Sequence, residues 1–151
     1  MPSQRDRVAM TADEIAAMLA GHRKVQLATL NPDGSVHLVT MYYGLLDGRI
    51  AFWTYRASQK ARNLARDPRI TCLVEDGDAY FDLRGVQIAG TVQLIDSRDG
   101  VLEVGRLIVA GMPDVPRDTL EVYVEHAARK RVAYTVTPHR TVSWDHKKLV
   151  S

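Results

Sequence analysis

Two stretches of alternating apolar residues flank the tetrapeptide Asn31-Pro32-Asp33-Gly34. Proline fixes φ at the second turn position and Gly34 accepts a left-handed backbone, so the chain must reverse here. The flanking stretches then read as the two arms of an antiparallel hairpin. Before the turn, residues 24–30 carry Val25, Leu27 and Ala28. After it, residues 35–43 alternate Val36, Leu38 and Thr40 with His37, Val39 and Met41. A second turn signal, Asp47-Gly48, precedes residues 49–54, which are rich in Ile, Phe and Trp. Residues 24–54 are therefore expected to form an antiparallel meander.

Downstream, the β pattern returns at residues 69–75, at 80–95 and at 131–144. Gly85 and Gly90 inside the second of these suggest a bulge or a close backbone approach, and Thr137-Pro138 interrupts the third. Short helices lie between. Thr11 is an N-cap followed by Asp13 and Glu14, with Ile15, Met18 and Leu19 on one face and Gly21 at the end. Ser58 caps a helix that Asp67-Pro68 stops. Residues 97–110 and 119–129 also read helical, whereas residues 1–10 are polar and expected to be flexible. Six strands joined mostly by hairpins predict a mainly antiparallel α+β or barrel architecture, not a doubly wound one.

Composition narrows the function. A chain of 151 residues fits a single domain, and 46% apolar residues suffice for one core. Lys plus Arg number 20 against 18 acids, a surplus too small for a general nucleic-acid binder, so any anion site must be local. The single cysteine, Cys72, excludes an internal disulfide and a cysteine-based zinc site, and it reads as a buried strand residue. None of the five histidines pairs with another at helical ligand spacing, so no metal is expected. The absence of a long apolar run or of a signal-like N-terminus predicts a cytoplasmic protein without membrane contact.

The segment from Phe52 to Leu64 carries the most chemistry. A strand runs through Trp53 and Thr54 into a short loop, then into a helix whose first turn holds Ser58, Gln59 and Lys60. Helix N-termini present free N–H groups and partial positive charge. With Arg56, Ser58 and Lys60 added, they make an anion site suited to phosphate. A capping serine among solvated basic residues is the simpler reading of the same pattern.

Three stretches in order resemble the pyridoxamine-phosphate-oxidase-like split β-barrel family of flavin and deazaflavin proteins. They are residues 25–42 with the Asn31–Gly34 turn, the run from Trp53-Thr54 through Ser58-Gln59-Lys60 to Asp67-Pro68-Arg69, and Leu83-Arg84-Gly85-Val86 with Gly90-Thr91. The ending Val142-Ser143-Trp144-Asp145-His146-Lys147-Lys148-Leu149 is similar to short members that use coenzyme F420. The resemblance implies a six-stranded split β-barrel, a homodimer, and a cofactor in a groove at the dimer interface. It places His37, Leu38, Val39, Thr40 and Met41 along the ring, Trp53 and Thr54 at its border, and Ser58, Gln59 and Lys60 around the phosphate. In the FMN-using oxidases the positions matching Gln59, Tyr42 and Gly85 are typically arginine, lysine and glutamine. These departures argue against pyridoxamine phosphate oxidation and favour F420, with FMN as the alternative. The activity implied is hydride transfer from reduced deazaflavin to an unsaturated small molecule, with Tyr42, Arg84 or solvent as proton source. An FMN oxidase or flavin reductase, or a carrier of flavin, deazaflavin or haem, remains open.

Overall fold

The tight turn forms where expected. Asn31 accepts from the Gly34 N–H at 3.0 Å, Gly34 has φ +86°, and Asp33 takes the Ser35 N–H at 3.0 Å. The computed structural model describes residues 1–151. Strands β1 (Lys24–Leu30) and β2 (Val36–Tyr42) pair along their whole length, from Leu30 opposite Val36 to Lys24 opposite Tyr42. Asp47 and Gly48, both at positive φ, join β3 (Gly44–Leu46) to β4 (Arg49–Tyr55). Then come α3 (Gln59–Arg66), β5 (Arg69–Asp76), β6 (Arg84–Ile95), α4 (Arg98–Ala110), α5 (Leu120–Ala128) and β7 (Arg131–Asp145).

All seven strands belong to one antiparallel sheet, in the order β2-β1-β5-β6-β7-β4-β3. It curls into a half-barrel with a few short helices. Two expectations are corrected. The strands number seven, because the three residues of β3 pair with Arg49–Ala51. The meander is broken: β2 and β4 lie toward opposite ends of the sheet and do not pair. Tyr43 causes the break. It is buried, and its hydroxyl donates to the Leu19 carbonyl at 2.6 Å, which turns the chain away from β1. Gly44 follows, packed so closely on Leu107 of α4 that a Cβ would meet the Leu107 Cβ at 2.8 Å.

Residues 80–95 also divide, into a 3-10 turn at Tyr80–Asp82 and then β6. Gly85 lies against the Trp144 ring and Gly90 against the Thr137 carbonyl, as close approaches. The register between β6 and β7 shifts between Ala89 and Gly90, skipping His139 beside Pro138, so β7 passes the proline unbroken. The N-terminal ten residues include a short helix. Ser3 and Asp6 close a capping box on α1 (Gln4–Val8), and Val8 is buried. A second box, Thr11 with Glu14, opens α2 (Ala12–Gly21), whose Met18 and Leu19 enter the core.

Two cores result. Alternate residues of every strand fill the barrel, among them Val25, Leu27, Phe52, Cys72, Val74 and Val86. Burial alone pushes the Cys72 thiol up to about 12, so it is a packing residue. On the other face of β4 and β7, Ala51, Trp53 and Ala133 meet Val104, Ile108, Val109 and Val124 of α4 and α5. Small residues at Ala51 and Ala133 let these helices approach the sheet. No helix is long and apolar enough to cross a membrane.

Candidate cofactor site

β3 covers only the first half of β4, so the edge of Phe52–Tyr55 has no strand partner on that side. β2 pairs with β1 alone and likewise has a free edge. A cavity of about 350 Å³ lies in the split between them. Thr40, Met41 and Tyr42 line one side, and Trp53, Thr54 and Tyr55 line the other. Lys60 closes one wall, and Ile108, Met112, Tyr123 and Arg131 add the remainder.

The phosphate end is built by the start of α3. Ser58 Oγ accepts the Ala61 N–H at 3.1 Å and the Thr54 hydroxyl at 3.1 Å. Both acceptor sites are thus used, which leaves the serine O–H free to donate. The N–H groups of Gln59 and Lys60, in the first turn, have no intrahelical acceptor. Lys60 is half-buried, has no carboxylate partner, and burial holds its amine below the usual lysine value. A desolvated cation beside free N–H donors matches a phosphate, and the aromatic walls match a planar ring.

Trp53 is fixed on both faces. A Cβ on Gly105 would meet its ring, and the Arg131 guanidinium lies 5.1 Å from the Trp53 centroid and 4.1 Å from that of Tyr55. Arg131 Nη1 also donates to the Ala127 carbonyl at 2.5 Å, pinning the end of α5.

Of the residues expected from sequence, Thr40, Met41, Trp53, Thr54 and Lys60 come together in the cavity, with Ser58 beside it as the helix cap. The others lie elsewhere. Leu38 is 64% exposed on the outer face of β2, and Val39 packs toward the barrel core. His37 points inward opposite Thr29, with its buried Nδ1 lacking a hydrogen-bond partner. The Gln59 amide turns along α3, donating to Asn63 at 2.8 Å and accepting from Arg62 at 3.1 Å. Buried Asn63 in turn donates to Thr29 and to Asn31, tying α3 to the first hairpin turn. Arg56 is exposed outside the cavity, its N–H bonded to the Lys130 carbonyl at 2.8 Å. Arg84, weighed as a proton source, is held by Asp76 at 2.5 Å and does not line the cavity. Tyr55, Ile108, Met112, Tyr123 and Arg131 were not foreseen; only the helical pattern of residues 97–129 pointed to that region.

Residues 11–145 match the family model described as pyridoxamine 5'-phosphate oxidase. Among solved structures, the conserved hypothetical protein Rv2991 from Mycobacterium tuberculosis is 38% identical over 99% of this chain and 94% of its own, with a TM-score of 0.91. An F420 reductase shares the fold at 20% identity, a TM-score of 0.61, and coverage of 93% and 98%. The haem storage protein HutZ from Vibrio cholerae does so at 14% identity, a TM-score of 0.65, and coverage of 87% and 95%. No curated protein matches the chain. A match spanning nearly all of the half-barrel places this chain in the pyridoxamine 5'-phosphate oxidase family.

Proposed function

We propose that the cavity holds the phosphorylated ring of coenzyme F420 and that the protein is a homodimeric F420H2-dependent reductase of an unsaturated small molecule. The observation that carries this reading is Lys60, a half-buried cation without a carboxylate partner, opening from a helix N-terminus onto an aromatic-walled cavity. When bound, a reduced deazaflavin supplies hydride from its C5 to an electron-poor C=C or C=N bond. The chain's own residues bind and orient. Lys60, Ser58 and the free N–H groups hold the phosphate. Tyr42, Trp53 and Tyr55 wall the ring and exclude water. The proton that completes the reduction comes from a cavity tyrosine or from solvent.

Charge favours F420 over FMN. Gln59 is turned away and occupied by Asn63, so Lys60 is the one cation of the first helical turn that lines the cavity. The other lining cation, Arg131, is stacked on Trp53 and Tyr55 and donates to the Ala127 carbonyl, so at the helix start one cation faces the phosphate, which suits a singly charged phosphodiester, as in F420, better than the roughly −1.5 to −2 of a phosphate monoester. The FMN oxidases' later glutamine has no room here, because Gly85 lies against the Trp144 ring.

The test is the absorbance and mass of cofactor retained after native purification, with calorimetric titration of F420 and FMN. Tight F420 binding with weak FMN binding is expected. Preference for FMN replaces the deazaflavin reading by the flavin one, and binding of neither overturns both. Retention of cofactor without turnover across a panel of activated alkenes makes the protein a carrier.

A further inference from the structure

β4 and β7 end side by side, with Tyr55 opposite Arg131. Behind this stacked pair lies a second concavity of about 590 Å³. Tyr55 and Arg131 form the wall it shares with the first cavity. His126, Arg129 and Lys130 line the rest, and Arg56 sits beside Lys130.

No carboxylate pairs with Arg56, Arg129, Lys130 or Arg131, in a chain whose 20 basic residues are nearly matched by 18 acids. Basic residues after a helix ordinarily serve its last carbonyls. Here that task occupies one of them, since Arg131 takes the Ala127 carbonyl. The His126 and Lys130 carbonyls are met by the backbone N–H groups of Arg129 and Arg56. The Arg129 and Lys130 side chains are therefore surplus to the helix end. Like charges gathered round a concavity repel each other and focus a positive field into it, which an anion relieves.

We propose that this concavity is an anion subsite, taking a second carboxylate or phosphate group carried by the cofactor or substrate seated in the first cavity. It rests on the reading that the first cavity holds a phosphorylated ring. The extension crosses the Tyr55–Arg131 pair, where the guanidinium lies 4.1 Å from the tyrosine centroid. Ligands with a single anionic group fill only the first cavity.

Citrate and pyrophosphate, as bare anions, test the subsite without any ring bound. Calorimetry at low ionic strength avoids screening of exposed charge. Both anions are expected to bind the wild-type protein. The double variant Arg129→Gln/Lys130→Gln binds about tenfold more weakly, a loss of about 1.4 kcal/mol shared between two exposed pairs. Lys60→Met removes the share of anion binding taken by the first cavity, and the dependence on Arg129 and Lys130 persists in that background. Tighter citrate marks a carboxylate subsite, tighter pyrophosphate a phosphate one. The proposal is overturned if neither anion binds, or if the double variant binds both as the wild type does. Titration of F420 separates the sources. Affinity about tenfold lower in the double variant assigns the extension to the cofactor, and unchanged affinity assigns it to the substrate. Failure of F420 and FMN alike to bind, with citrate still dependent on Arg129 and Lys130, removes the ring reading and leaves the subsite standing.

Discussion

Lys60 is half-buried and lines the cavity, so an apolar side chain of similar length can take its place. Methionine is therefore the cleaner replacement. A charged hydrogen bond to phosphate is worth roughly 1.5–3 kcal/mol, so Lys60→Met should weaken F420 binding about ten- to hundredfold. The melting temperature without cofactor should be unchanged, and calorimetry beside thermal melts reads both. Burial already lowers the amine's pKa. Affinity should therefore fall as pH rises, beginning below the ordinary lysine value of about 10.4, while Lys60→Arg keeps binding into that range. Gly105 is the second sensitive residue. A methyl group there meets the Trp53 ring, and overpacking typically costs about 1–3 kcal/mol, more than the helix-propensity gain. Gly105→Ala should lower the melting temperature and shift Trp53 fluorescence. Ser58 and Lys60 were legible because an N-cap with a basic first turn is a local pattern. Strand alternation puts Leu38 on the face of Thr40 and Tyr42, but it does not line the cavity, while Val39 on the opposite face packs on the barrel core. Arg131 and Tyr123 carried no local mark. They reach the site only because β7 pairs with β4.

The hairpins β1–β2 and β3–β4 were readable, since turn residues announce a reversal. Turn residues do not say which sheet edge receives the next strand, and the Tyr43 hydroxyl bond to α2 decided that. α2 is also held by charge. Lys148 donates to Glu14 at 2.7 Å, and this bond together with the Thr11 N–H holds the Glu14 carboxyl down to about 2. At the other end, His22 meets Asp76 at 2.8 Å, and Asp76 is lowered by its bond to Arg84 first and by His22 after it. Carboxylates lowered in the folded state contribute stability that is present above their unfolded values near 4 and lost as pH falls through the folded ones. Melting temperature should therefore drop between about pH 4 and pH 2. Hydrogen exchange should show α2 loosening first, and Glu14→Gln should flatten that slope. An equally steep acid transition in the variant would remove Glu14 from the account.

The half-barrel leaves β2 uncovered at one end, with Val36 60% and Leu38 64% exposed on its outer face. A second copy of the chain is the occupant that the homodimer reading requires there. Leu38→Asp should convert a sedimenting dimer into a monomer, with weaker F420 binding because the groove loses a wall. A wild-type monomer at micromolar concentration would end the shared-groove idea. The order in which the sheet assembles follows from its connectivity. β1–β2 and β5–β6 close between neighbours in sequence, whereas Tyr55 must find Arg131 across the span that includes α3, β5, β6, α4 and α5. Such distant pairing pays its loop entropy before any contact repays it, so it belongs late on the folding route. The cavity exists only once β4 and β7 have met. A ligand seated there needs Trp53–Tyr55 and Arg131 as well as Thr40–Tyr42 of the early β1–β2 hairpin, so no early state offers it a complete site; it should slow unfolding while leaving the refolding rate unchanged.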